Sequence, residues 1–198
     1  MKNRFLVSIS VLAVVLLASC AKMPQIEIDN ANSAITEAKD AGADLYVPAA
    51  YTALIDSMNA AKETIEMQKS KLFKNYKTSK EQLLAVTQLA ADVKVKAEAK
   101  IVELKTSIQN TLAEITVLNN ENKALVAQAP KGKGGLSALM AIKGEIANID
   151  TTFKAISDAA KTENFNTTLT KASALKEQAV GINTELKTVI EKYKSKGK

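Results

Sequence analysis

Cys20 is the only cysteine among 198 residues, and the chain has no histidine. A thiolate is a strong nucleophile and a soft metal ligand, but this one has no imidazole to activate it and no second thiol to pair with. Cys–His and Ser–His nucleophile pairs are therefore excluded, as are the usual zinc ligand sets. Carboxylate pairs and Ser–Lys pairs remain. Glu63 with Glu66, and Glu98 with Glu103, could share acid–base work, yet they fall on the flanks of heptad stripes, where solvated, salt-bridging residues belong. Ser79 beside Lys80 could attack an acyl group, but no oxyanion loop accompanies it. The stretch "PKGKGG" is glycine-rich and basic. A phosphate loop needs Ser or Thr after its lysine, and here Gly134 follows Lys133. The expectation is a protein that is not an enzyme and uses neither metal nor cofactor.

The chemistry left for Cys20 comes from its neighbours. Lys2 and Arg4 give a cationic start, and residues 5–17 are apolar apart from Ser8 and Ser10. That run is shorter than the roughly 20 residues of a membrane-spanning helix and has the layout of a secretory signal peptide over residues 1–19. Leu17-Ala18-Ser19-Cys20 resembles the lipobox of bacterial lipoproteins. The resemblance implies cleavage between Ser19 and Cys20, with acyl chains such as palmitate added to the thiol and to the new amino group. The protein would then be anchored to a membrane without spanning it. In such lipoproteins an acidic residue directly after the cysteine favours retention in the inner membrane. Ala21 and Lys22 stand there instead, which implies the periplasmic face of the outer membrane in the bacterial envelope.

Composition narrows the rest. Aromatic residues make up only 4%, Trp is absent, and Gly and Pro number 7 and 3. Alanine, lysine, glutamate and leucine dominate, a helix-forming set with slim side chains that suit a coiled coil. Without Lys2 and Arg4 the 27 basic residues fall to 25 against 21 acids. The excess sits in residues 187–198, where it complements the negative end of a helix dipole. A sharper expectation is weak contact of this tail with anionic lipid or cell-wall carboxylate. An exported chain has no nucleic acid to meet.

Periodicity supplies the elements. Residues 20–28 read as a tether, and Asp29 as the cap of a helix with the stripe Ala31, Ala34, Ile35, Ala38 and Ala41. Gly42 is placed as its left-handed stop, and Pro48 as the first turn of the next helix. No Gly or Pro interrupts residues 49–128, so one very long helix is expected over 48–128, with 74–80 as its weakest point because Asn75, Thr78 and Ser79 are poor helix formers. After the break at 129–135, two stripes follow. One runs from Leu136 to Ala160 and the other from Phe165 to Tyr193. They are out of phase, so a turn is expected at 161–166 with Asn164 or Asn166 as cap. A single helix over 136–195 is the alternative. The fold class expected is all-α, an elongated antiparallel helical bundle or coiled coil. Its parts are a helical hairpin and long helix over 29–128 and a two-helix hairpin over 129–198 packing on that helix.

The segment "ANSAITEAKDAGADLYVPAAYTALIDSMNAAKETI" resembles an N-terminal helical-hairpin domain of unknown function in bacterial envelope lipoproteins. Ala31, Ala34, Ala38, Ala41, Gly42-Ala43, Tyr46, Pro48 and Ala60-Ala61 carry the likeness. It implies fold and compartment and supplies no activity.

Two function classes follow. The first is a non-catalytic, lipid-anchored scaffold or spacer that binds protein partners or self-associates. The length mismatch between the long helix and its covers predicts an uncovered partner seam through Leu72, Tyr76, Leu83, Leu89 and Val93. Folding back of the long helix at 74–80, or one helix over 136–195, would hide that seam. The second class is a membrane-active, pore-forming type of helical protein. Its best candidate segment, "LSALMAIKGEIANI", is interrupted by Lys143 and Glu145, which ranks it below the first. In "QKSKLFKNYKTSK", lysines interleave with Leu72, Phe73 and Tyr76. That pattern fits core apolar residues backed by solvated lysines better than a patch for an anionic surface.

Overall fold

Among the described residues every regular element is helical, and no strand occurs. The computed structural model describes residues 22–130, 135–162 and 164–196. Ser19, Cys20 and the apolar run before them lie outside these residues, as do positions 131–134 of the glycine-rich connector. The helices are α1 (Gln25–Asp40), α2 (Ala43–Tyr46), α3 (Pro48–Lys69), α4 (Lys77–Gln128), α5 (Gly135–Ala159) and α6 (Phe165–Lys196). The protein is an all-α helical bundle with one long helix, α4, of 52 residues. It divides into two compact units between Lys100 and Ile101, so α4 contributes to both.

The first unit packs α1, α2, α3 and the start of α4. Its core comprises Ala31 and Ala38 from α1, Leu54, Met58, Ala61 and Ile65 from α3, and Leu83, Val86, Ala90, Val93 and Ala97 from α4. The recurring alanines keep side chains short where helices meet. Gly42 sits at φ 81°, the left-handed conformation that only glycine adopts without strain, and it turns α1 back along α3. Pro48 takes the first turn of α3, where its missing N–H is no loss.

Four expectations are corrected here. Residues 20–28 are not all tether, because α1 already begins at Gln25 behind the buried Pro24. Asp29 lies inside that helix and accepts a hydrogen bond from the Gln25 side chain at 2.8 Å. Residues 48–128 are two helices rather than one. The chain reverses over residues 70–76, where the Ser70 hydroxyl donates to the orphan carbonyl of Met67 at 2.9 Å, and the Asn75 side chain accepts the Lys77 N–H at 3.0 Å as α4 starts. The partner seam therefore dissolves into core. Tyr76, Leu83 and Val93 are buried and Leu89 packs against them, because α3 and α1 cover this stretch of α4. Leu72 alone remains outside, 87% exposed on the loop.

The second unit is a three-helix arrangement of α4, α5 and α6. Ile115 and Val126 from α4 meet Ile142, Ile146, Ile149 and Ile156 from α5, and Ala172, Leu175, Ala179, Ile182, Leu186 and Ile190 from α6. Glu114 pairs with Lys176, and Glu121 with Lys187 at 2.8 Å. Both numbers rise together in these pairs, so α4 and α6 run parallel with α5 antiparallel between them in sequence. The expected turn between the two stripes is present. Asn164 caps α6, its side-chain oxygen accepting the N–H groups of Asn166 at 2.9 Å and Thr167 at 3.3 Å. Near the end of α6 the stripe shifts by one residue. Ile190 is buried while Val189 and Tyr193 are exposed. The boundary expected at 128/129 is also not where the compact units part, because the second half of α4 shares its core with α5 and α6.

Candidate functional site

Two places combine chemistry-bearing residues with a defined geometry, one in each unit. In the first unit, Glu27 near the start of α1 forms an ion pair with Lys80 near the start of α4, at 2.8 Å. The Lys80 ammonium holds the Glu27 carboxyl below the usual carboxylate range, chiefly through their hydrogen bond. This pair sets the beginnings of α1 and α4 side by side, at the end of the unit where α3 also finishes. The 70–76 loop lies at that same end. Its base is tied down: Tyr76 is buried, and the Asn75 N–H donates to the Gln68 side-chain oxygen at 3.2 Å. Between these ties Leu72 and Phe73 project, 87% and 63% exposed.

The Ser79–Lys80 pair makes no nucleophile in this geometry. The Ser79 hydroxyl is fully buried and has no hydrogen-bond partner, while Lys80 is engaged by Glu27. Glu66 pairs with Lys69 at 2.6 Å, and Glu63 lies with it along an open groove on α3 that also includes Lys62 and Met67. These are the solvated roles that their heptad positions imply.

In the second unit a polar layer crosses the three helices. Asn122 of α4 is fully buried. Its amide donates to the Ala179 carbonyl at 2.9 Å, and its side-chain oxygen accepts from the Asn183 amide at 2.9 Å. On the neighbouring face the Asn119 amide and the Lys123 ammonium both reach Asp150 of α5, at 2.7 Å and 2.9 Å. Glu121 is held below the usual carboxylate range, first by its hydrogen bond from Lys187, so the first lysine of the basic tail serves an internal contact. A buried asparagine in an apolar seam specifies register, because a slipped helix strands its polar groups. This layer was missed in the sequence. Its signal was there: Asn122 falls four residues after Leu118 and three before Leu125, on the apolar stripe itself.

Each unit has an open groove among the described residues. One of about 370 Å³ lies between α5 and α6, lined by Glu145, Asn148, Gln178, Gly181 and Glu185. Another of about 540 Å³ runs between α1 and α4 past Glu37, Thr87, Lys94 and Glu98. Among the described residues no cluster of three metal-ligating side chains occurs, and no helix is long and apolar enough to cross a membrane. Compared with protein-family models, curated proteins and solved structures, the chain matches none.

Proposed function

We propose that the chain is a non-catalytic, lipid-anchored protein of the bacterial envelope, a helical scaffold that holds or spaces protein partners at a membrane surface. The observation that carries this reading is Cys20 itself, the sole cysteine, set behind a cationic start, a short apolar run and two small residues. A lone thiol in an exported chain has no disulfide partner, and acylation gives it a role. Ala21 and Lys22 favour the periplasmic face of the outer membrane. Two helical units, each with its own core, suit a body that presents surfaces. The fixed register that the Asn122 layer imposes would keep such surfaces in constant relation within the second unit.

Cys20→Ser tests the anchor. The variant is expected to accumulate as uncut precursor or to leave the membrane fraction, with loss of the acyl mass on the N-terminal peptide. Normal processing of the variant, with wild-type membrane fractionation that survives a wash at about 1 M salt, would overturn the reading.

A further inference from the structure

The loop between α3 and α4 carries an arrangement that the scaffold reading does not use. Residues 67–80 contain five lysines and no acidic residue. Lys69 and Lys80 are engaged by Glu66 and Glu27. Lys71 and Lys77 are exposed on either side of Leu72 and Phe73 and Lys74 is half-buried beside them, with no carboxylate partner for these three among the described residues. Two adjacent large apolar side chains, held up on a loop with a tied base and ringed by unpaired ammonium groups, match the interface of an anionic bilayer. The apolar pair suits the boundary of the acyl chains, and the lysines suit the headgroups. A protein groove would take the apolar pair, but with Glu66 and Glu27 already neutralised by Lys69 and Lys80, the three remaining lysines favour a surface of uniform negative charge.

Position agrees with chemistry. The Glu27–Lys80 pair puts the loop at the end of the first unit where α1 begins. Met23 and Ile26, at that beginning, are also exposed, Ile26 to 74%, and Lys22 beside them is exposed. Lys22 stands two residues after Cys20.

We infer that Leu72 and Phe73 form a membrane-insertion tip, with Lys71, Lys74 and Lys77 binding anionic phospholipid headgroups, so that the first unit docks end-on against an anionic lipid surface. This deepens the anchored reading above, adding a non-covalent contact that does not depend on acylation.

The chain has no tryptophan, so Phe73→Trp in the Cys20→Ser protein without residues 1–19, whose apolar run would itself enter a bilayer, reports the loop alone. Leu45→Trp, at a position 45% exposed at the opposite end of the α1–α3 hairpin, is the control. The probe is vesicles of phosphatidylglycerol and phosphatidylcholine, with and without brominated acyl chains. Indole emission from the Phe73→Trp protein is expected to shift to the blue and to be quenched by the brominated chains, while emission from the Leu45→Trp protein is unchanged. Adding Lys71→Gln and Lys77→Gln should weaken the loop response about 25-fold, at about fivefold per lysine near an anionic surface. About 1 M salt, where charges are screened beyond about 3 Å, should weaken it likewise. Water-like emission from the loop indole on these vesicles would overturn the inference. So would an equal response on pure phosphatidylcholine, or a lipid-free blue shift that grows with protein concentration and marks docking on a second copy. Failure of acylation is read separately, by mass spectrometry of the wild-type N-terminal peptide, and leaves this experiment unaltered.

Discussion

Replacing Asn122 separates a register device from ordinary core. Asn122→Ala removes the bond to the Ala179 carbonyl and strands the Asn183 amide, whose acceptor was the Asn122 side-chain oxygen at 2.9 Å. A lost bond is worth about 1 kcal/mol net and a stranded buried group about 1–3 kcal/mol, so the variant should lose about 2–4 kcal/mol. Asn183→Ala strands the Asn122 oxygen, also removes the lesser hydrogen bond from Asn183 to Glu121, and should lose about 1–3 kcal/mol. The double alanine variant shares the broken bond and should cost less than the sum by about 1–2 kcal/mol. Asn122→Leu with Asn183→Leu removes both polar groups together and should be close to neutral or stabilising, while loosening the register, so that sedimentation shows mixed association states. Urea unfolding followed by far-ultraviolet circular dichroism measures each change, and amide exchange over residues 165–196 assigns it to the second unit. A coupling below about 0.5 kcal/mol is what independent sites give and would refute the paired geometry. A leucine double variant that stays a single sharp species would refute the register role.

Two further outcomes are expected. Gly42→Ala should lower thermal stability by about 1 kcal/mol, since alanine is strained at φ 81°. Gly144→Ala and Gly181→Ala should each raise it by about 0.5–1 kcal/mol, because both glycines are helical and an added Cβ meets nothing within 4 Å; thermal melts giving all three variants the same sign would contradict this. Acid should destabilise both units. The Glu27, Glu121 and Asp158 carboxyls lie below their ordinary values through hydrogen bonds from Lys80, Lys187 and Lys161. Their stabilisation is full above the unfolded values, near pH 4, and is lost as pH falls through the lower folded ones. Glu27→Gln and Glu121→Gln should each flatten the fall in melting temperature below about pH 4, and unchanged slopes would show that these pairs carry none of it.

Helix type, helix ends and the location of chemistry were legible from the chain because they depend on near neighbours. Three-and-four spacing marked the inward faces of α5 and α6. Gly42, Pro48 and Asn164 marked ends through conformations or capping bonds that act within a few residues. The absence of histidine and of a second thiol restricted the chemistry without any coordinates. What the chain did not reveal depended on distant partners. No Gly or Pro stops the helix at Lys69, so the reversal over 70–76 reads only as a weak point in propensity. Its outcome rests on Tyr76 and Leu83 finding Ile65 and Ala31 across the first unit. Once the chain reverses there, a stripe that looked exposed becomes core, and Leu72, counted in that stripe, is left on the loop beside Phe73. Asn122 likewise reads as one polar break in an apolar pattern until α6 supplies Asn183 and the Ala179 carbonyl. Local backbone preferences are written residue by residue, whereas burial belongs to pairs of segments and exists only once the tertiary structure has brought them together.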